Sequence, residues 1–357
     1  MKAVALTGLK KMEVVELPMP ALAGESDVLL KVAKVGVCGS DIHYYQTGRI
    51  GTRVVQFPFV LGHECAGTVA EIGRGVKRVQ PGDEVAVDPA ISCGRCDQCR
   101  RGRHNTCRRL RFLGCPGEAR GCLSEFILMP EDCLYPTKGR LSLEQAVLCE
   151  PLSIGVYAVK QAQLAPRADI AILGCGPIGL CVLLAARQAS STTTFATDRL
   201  DYRLALAATL GANWRGNPDK APVVEEILAQ QPAGLDVVFE CAGQQETLDQ
   251  AVQLLKPGGR LMLIGIPATE RVSFHIDALR RKELSLINVR RQNDCVEAAI
   301  ELIASRTVNV DCLLTHRFAP QDAQRAFDLV AAYGDGVVKA LVEFSSPTPV
   351  TAAAGAV

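Results

Sequence analysis

Four cysteines crowd the stretch "CGRCDQCRRGRHNTC": Cys93, Cys96, Cys99 and Cys107, at C-x2-C-x2-C-x7-C. Such spacing matches a tetrahedral thiolate site, which zinc fills best in reducing surroundings. Four protein ligands leave no position for water or substrate, so a site of this kind is structural. A second set is scattered: Cys38 in "VCGSD", His63 and Glu64 in "GHE", and Glu150 in "CEPLS". Thiolate, imidazole and carboxylate together are the mixed set of a catalytic zinc that keeps one position open. Sequence alone does not bring these four together in space. A third motif, "GCGPIG", places Gly174, Gly176 and Gly179 at G-x-G-x-x-G. Those glycines make a tight turn, a close backbone approach to pyrophosphate, and helix-on-strand packing. Asp198, 22 residues after Gly176, ends the next expected strand. A carboxylate there accepts hydrogen bonds from ribose hydroxyls and repels a 2′-phosphate, which favours NAD over NADP.

These residues need scaffolds of two textures. The first half is β-rich: "DVLLKVAKVGVCG", "CAGTVAEIG" and "GDEVAVDP" are valine-rich runs cut by Gly, Pro and Asp, suggesting a small barrel or sandwich with the cysteine cluster in a loop. Near residue 150, "LSLEQAVLCEPLSIGVYAVKQAQL" has helical spacing, and from Ala168 short apolar strands alternate with helices. That rhythm implies a parallel sheet covered on both faces. Cys295–Phe344 reads as helical with one short terminal strand, and 345–357 as a disordered tail.

The 357 residues are 48% hydrophobic and 22% charged, as expected of a globular chain of two or three domains. A net charge of +1 provides no field to recruit nucleic acid or anionic membrane. Seven arginines around the cysteines (Arg95, Arg100, Arg101, Arg103, Arg108, Arg109, Arg111) raise a zinc-ribbon nucleic-acid binder as a remote alternative, but aromatics are sparse. The longest uncharged run, Ile170–Ala186, is broken by glycines and a proline, so it reads as strand, turn and helix rather than as a membrane span. No secretory signal is expected at the N-terminus. Fifteen cysteines then point to a reducing, cytoplasmic setting, most of them as small core residues, with Cys149 among them.

Together, "GVCGSDIHYYQTGRIG", "LGHECAGTV", the four-cysteine lobe, "EPLSIG", "GCGPIG", "TDRLDYR" and "THRF" resemble the zinc-dependent medium-chain dehydrogenase/reductase family, in its sorbitol (polyol) and xylitol dehydrogenase branch. The resemblance implies an α/β protein. A GroES-like β-barrel catalytic domain would span 1–152 and a doubly wound Rossmann domain 153–292, with a return to the catalytic domain over 293–344. It implies one catalytic and one structural zinc per chain, NAD, a polyol substrate and a homotetramer. Cys38, His63 and either Glu64 or Glu150 would hold the catalytic zinc, and Ser40 and His43 would relay the hydroxyl proton. Tyr44, Glu150 and Arg290 would hold substrate. Ile178, Arg203, Ile264, Gly265, Ile266, Asn288, Val289 and Arg290 would contact NAD. The implied reaction turns a secondary hydroxyl into a ketone through a zinc alkoxide and hydride transfer. Arg291 departs from the branch, where tyrosine follows the substrate arginine. A guanidinium there suits a carboxylate or phosphate on the substrate, which keeps a sugar acid (aldonate) or a phosphorylated polyol as an alternative, although Arg291 could equally meet solvent or NAD phosphate; a threonine-type dehydrogenase is a further alternative. "EPLSIG" and "HYYQTGRIG" favour the polyol branch over the threonine one.

Overall fold

The valine-rich runs of the first half form strands because β-branched side chains suit a pleated, half-buried surface. In the computed structural model, which describes residues 1–137, 139–189 and 193–344, they build a seven-stranded sheet. Its order is Leu134–Pro136, Glu84–Val87, Glu64–Ile72, Asp27–Gly36, Lys339–Glu343, Leu314–Phe318, with Phe126–Pro130 also paired to Asp27–Gly36. Lys2–Gly8 joins Lys11–Glu16 and Phe59–Val60 in a smaller sheet. Val28, Leu30, Val32, Leu61, Cys65 and Phe327 share the core beneath. The tail expected over 345–357 lies outside the described residues.

The second half forms a six-stranded parallel sheet: Trp214–Gly216, Thr194–Thr197, Ile170–Leu173, Leu235–Glu240, Leu255–Leu263, Ser285–Asn288. Counted along the chain that order is 3-2-1-4-5-6, the doubly wound arrangement of dinucleotide-binding folds, whose ligand crevice lies at the reversal beside the first strand.

Helix Leu143–Ala162 joins the halves. Ser142 and Gln145 cap it reciprocally. It continues through Pro151, so the expected boundary at 152/153 falls inside an unbroken element. It packs on strand Glu64–Ile72 on one side and on helix Pro177–Ala189 on the other. One expectation needs correcting. Leu314–Phe318 is a strand, parallel to Lys339–Glu343, so the return segment is a β-α-β unit around helix Ala323–Ala331 rather than helices with one strand. Its five residues alternate in burial, but the run is too short for that period to stand out.

Candidate active site

Cys38 ends the turn after strand Asp27–Gly36 and starts helix Gly39–Thr47. His63 immediately precedes strand Glu64–Ile72 and Glu64 opens it, and that strand is paired to Asp27–Gly36. The pairing therefore brings the three together: one ligand atom from each of Cys38, His63 and Glu64 lies within 4.8 Å of the others. His63 and Glu64 are buried. Asp41, one turn into the helix, ties the group together. One oxygen accepts from the Cys38 amide at 3.2 Å; the other accepts from the Gly62 amide at 3.2 Å and lies 3.4 Å from His63 Nδ1. Nε2 is the nitrogen left for a metal. Burial works against a proton on His63, but Asp41 and Cys38 outweigh it and hold its pKa well above the ordinary value.

Glu64 has a partner the sequence did not reveal. Lys339, 1% exposed on the returning strand, donates to both Glu64 oxygens at 2.6 Å. Burial alone would lower the Lys339 pKa; the Glu64 carboxylate reverses this. Glu150, from helix Leu143–Ala162, is buried beside this pair, outside the tight cluster of three, and its Oε2 has no hydrogen-bond partner. Burial, opposed by His63 and reinforced by Glu64, pushes Glu150 up to about 7. Soft, borderline and hard donors converge here beside an orphaned carboxylate oxygen, a set that fits a zinc ion with an open position.

Around this centre, Ser40 Oγ donates to Cys38 Sγ at 3.4 Å. His43 is half-buried and its pKa is lowered by burial. Tyr44 is buried, its hydroxyl 3.8 Å from Cys115 Sγ, and burial raises its pKa. Phe112 lies 5.2 Å from the His63 ring, centroid to centroid, and the Arg291 guanidinium sits 3.4 Å over the Phe112 ring. Burial lowers Arg291 to about 10, and its Nη1 is buried without a partner. Arg290, by contrast, is exposed. Glu118, which the sequence reading did not single out, places one oxygen 2.9 Å from Arg53 and buries the other unpaired. Its charge acts on both Arg291 and Cys115. No local motif marks Glu118 or Lys339; Asp41 could have been found as the acid three residues after Cys38.

The four-cysteine lobe is separate. One Sγ from each of Cys93, Cys96, Cys99 and Cys107 lies within 4.8 Å of the rest, and Cys96 Sγ is 3.5 Å from Cys99 Sγ and 3.9 Å from Cys107 Sγ. A tetrahedron of sulfurs about 2.3 Å from zinc has edges of about 3.8 Å. Backbone amides of Cys93 and Arg109 point at Cys107 Sγ, both at 3.3 Å. The lobe fits a closed structural zinc.

In the parallel sheet, the glycine turn follows strand Ile170–Leu173 and opens helix Pro177–Ala189. Gly174 has φ +97°, and a Cβ on Gly179 would lie 1.9 Å from the Gly174 carbonyl oxygen. Asp198 accepts from the Cys175 amide at 2.7 Å and the Leu200 amide at 2.9 Å, which fixes its carboxylate against the turn. Arg203 Nη1 is 3.8 Å from Asp198. Ile178 is half-buried near the helix start, Ile264, Gly265 and Ile266 follow strand Leu255–Leu263, and Asn288, Val289 and Arg290 lie at the end of strand Ser285–Asn288. All of these lie at the C-terminal ends of the parallel strands, where the fold binds a dinucleotide.

The alcohol dehydrogenase GroES-like domain matches residues 24–139, and the zinc-binding dehydrogenase domain matches residues 177–305. The chain belongs to the zinc-binding alcohol dehydrogenase family. It is 35% identical to a sorbitol dehydrogenase of Bacillus subtilis over 96% of this chain and 97% of that one. It is 34% identical to an L-idonate 5-dehydrogenase of Vitis vinifera, over 93% of this chain and 92% of that one. Among solved structures, an Escherichia coli oxidoreductase/dehydrogenase of unknown specificity superposes with a TM-score of 0.91 at 30% identity, over 97% of this chain and 99% of the other. Within this zinc-binding dehydrogenase, the GroES-like part supplies the Cys38–His63–Glu64 cluster and the Rossmann part the glycine turn. Helix Leu143–Ala162 carries Glu150 between them.

Proposed function

We propose that this zinc-binding dehydrogenase oxidises a secondary hydroxyl of a sugar alcohol, sorbitol-like or xylitol-like, to the ketose with NAD. The observation that carries the reading is the convergence of Cys38, His63 and Glu64 beside the orphaned Glu150 oxygen. The full-length likeness to a sorbitol dehydrogenase supports it. When bound, zinc at Cys38, His63 and a carboxylate lowers the pKa of a hydroxyl, as it lowers that of water from about 16 to near 7, and NAD accepts the hydride.

The remaining roles belong to the chain. Lys339 neutralises Glu64 with two hydrogen bonds, which leaves Glu150 as the carboxylate oxygen free to turn to a ligand or its water. His43, its pKa held down by burial, is neutral at pH 7 and can take up the proton passed through Ser40. Tyr44, its pKa raised, keeps its proton and offers a donor or acceptor to substrate hydroxyls. Gly174, Gly176 and Gly179 receive the pyrophosphate, and Asp198 the adenosine ribose.

Arg291 favours a second reading, an aldonate, because its unpaired Nη1 can grip a carboxylate. Glu118 and Glu150 each bury an unpaired oxygen near the same guanidinium and would repel that anion. One cation facing two acids suits a neutral polyol, whose hydroxyls both donate and accept. A steady-state screen of polyols, aldonates and threonine with NAD and NADP tests this. Polyols with NAD are expected to be turned over best, and His63→Ala to abolish turnover while keeping one zinc; an aldonate as the best substrate would overturn the reading.

A homotetramer in the cytoplasm, acting in carbohydrate metabolism, completes the proposal. Edge strand Ser285–Asn288 and the exposed Val272 and Ile276 support contact with another copy. All fifteen cysteines are free, which suits a reducing compartment.

A further inference from the structure

We infer that the four-cysteine lobe sets the geometry of the substrate pocket, and that Asn105 is the positioning residue through which it acts. Asn105 sits in the short turn His104–Thr106, immediately before Cys107, and is 4% exposed. Its side-chain amide donates to the Arg290 carbonyl at 3.0 Å and to the Tyr157 hydroxyl at 3.3 Å, and its backbone amide donates to Asn293 Oδ1 at 3.3 Å. Asn293 answers by donating to the Gly102 carbonyl of the lobe at 2.8 Å. Gln292 anchors the same segment elsewhere, donating to Asp88 at 2.7 Å and accepting from the Cys295 amide at 2.9 Å.

The segment needs these anchors. Arg291 has φ +55° and Asp294 φ +53°, a left-handed conformation that non-glycine residues adopt at a cost. Between its anchors the segment holds the Arg291 guanidinium over Phe112, a ring that also faces His63. Three of the hydrogen bonds, two donated by Asn105 and one accepted by Gly102, join the segment to a lobe in which four thiols converge. Cys93, Cys96, Cys99 and Cys107, which would hold a zinc, would thereby fix the turn that carries Asn105, and Asn105 fixes the backbone that presents Arg290 and Arg291.

This inference rests on the proposed substrate-side role of that segment. Asn105→Ala is expected to keep two zincs per chain and the wild-type Tm, to raise KM for the polyol about tenfold and KM for NAD by a smaller factor, since Val289 and Arg290 of the same segment are also assigned to NAD, and to speed amide hydrogen exchange over residues 289–294 alone. A purely structural role would lower the Tm and speed exchange throughout the chain, which overturns the inference, as would an unchanged polyol KM and exchange pattern. Should Asn105→Ala shed zinc, Asn293→Ala removes lobe contacts from the other side and is judged by the same criteria. A wild-type enzyme that turns over no polyol sinks the proposed function instead, and the exchange measurement then decides the clamp separately.

Discussion

Asp41 shows how a residue that touches no substrate can control a site. It holds the Cys38 turn and the His63 ring with one carboxylate. Partners of this kind typically affect metal affinity by about 10–100-fold. Asp41→Asn should therefore weaken the catalytic zinc by that factor in chelator competition and leave the thiolate zinc unchanged; equal loss of both metals would argue against the assignment. Asp198 acts by repulsion as well as attraction. Asp198→Ala should raise the NADP/NAD ratio of kcat/KM by about tenfold or more, equivalent to ~1.4 kcal/mol, and an unchanged ratio removes its role. The glycine turn and the thiolate lobe were legible in the sequence because their residues are close in the chain. Glu118 and Lys339 were not: an unpaired oxygen and a buried ion pair arise only when distant segments meet.

At the scale of elements, the helix Leu143–Ala162 decides how the two halves meet. Gly155 lets it approach helix Pro177–Ala189, since a Cβ there would lie 2.6 Å from the Cys181 carbonyl carbon and oxygen. Backbone cannot yield as a side-chain tip can. Gly155→Ala should cost about 1–3 kcal/mol, seen as a lower Tm, and a Tm equal to wild type would show that the helices separate freely. The helix itself was legible from its spacing. Its spacing runs through Pro151, which the helix tolerates because packing holds it on two sides. Strand Leu314–Phe318 was not legible, because its pairing, not its composition, makes it a strand.

For the whole molecule, the hydrogen bond from Gln292 to Asp88 ties the end of the Rossmann half to the catalytic sheet. Burial raises Asp88 to about 6, despite the Ala90 amide and Gln292, from an ordinary value of 3.8. The folded state thus binds the proton more tightly than the unfolded chain. Between those values stability falls as pH rises, and above about pH 6 the full cost of burying the ionised form is present. Asp88→Asn should gain on wild type between pH 4.5 and 7.5, by of order 2 kcal/mol in paired denaturant titrations. A difference that stays constant with pH would rule out a buried, titrating Asp88.

Glu64 and its cation Lys339 stand 275 residues apart in the chain. At about 5–20 residues per second of synthesis, roughly 14–55 s separate their emergence from the ribosome. A nascent polypeptide therefore displays Cys38, His63 and Glu64 long before the charge that lets Glu64 be buried exists. The ion pair can form only once translation has passed residue 339, so a product released earlier carries the ligands without the cation that pairs with Glu64.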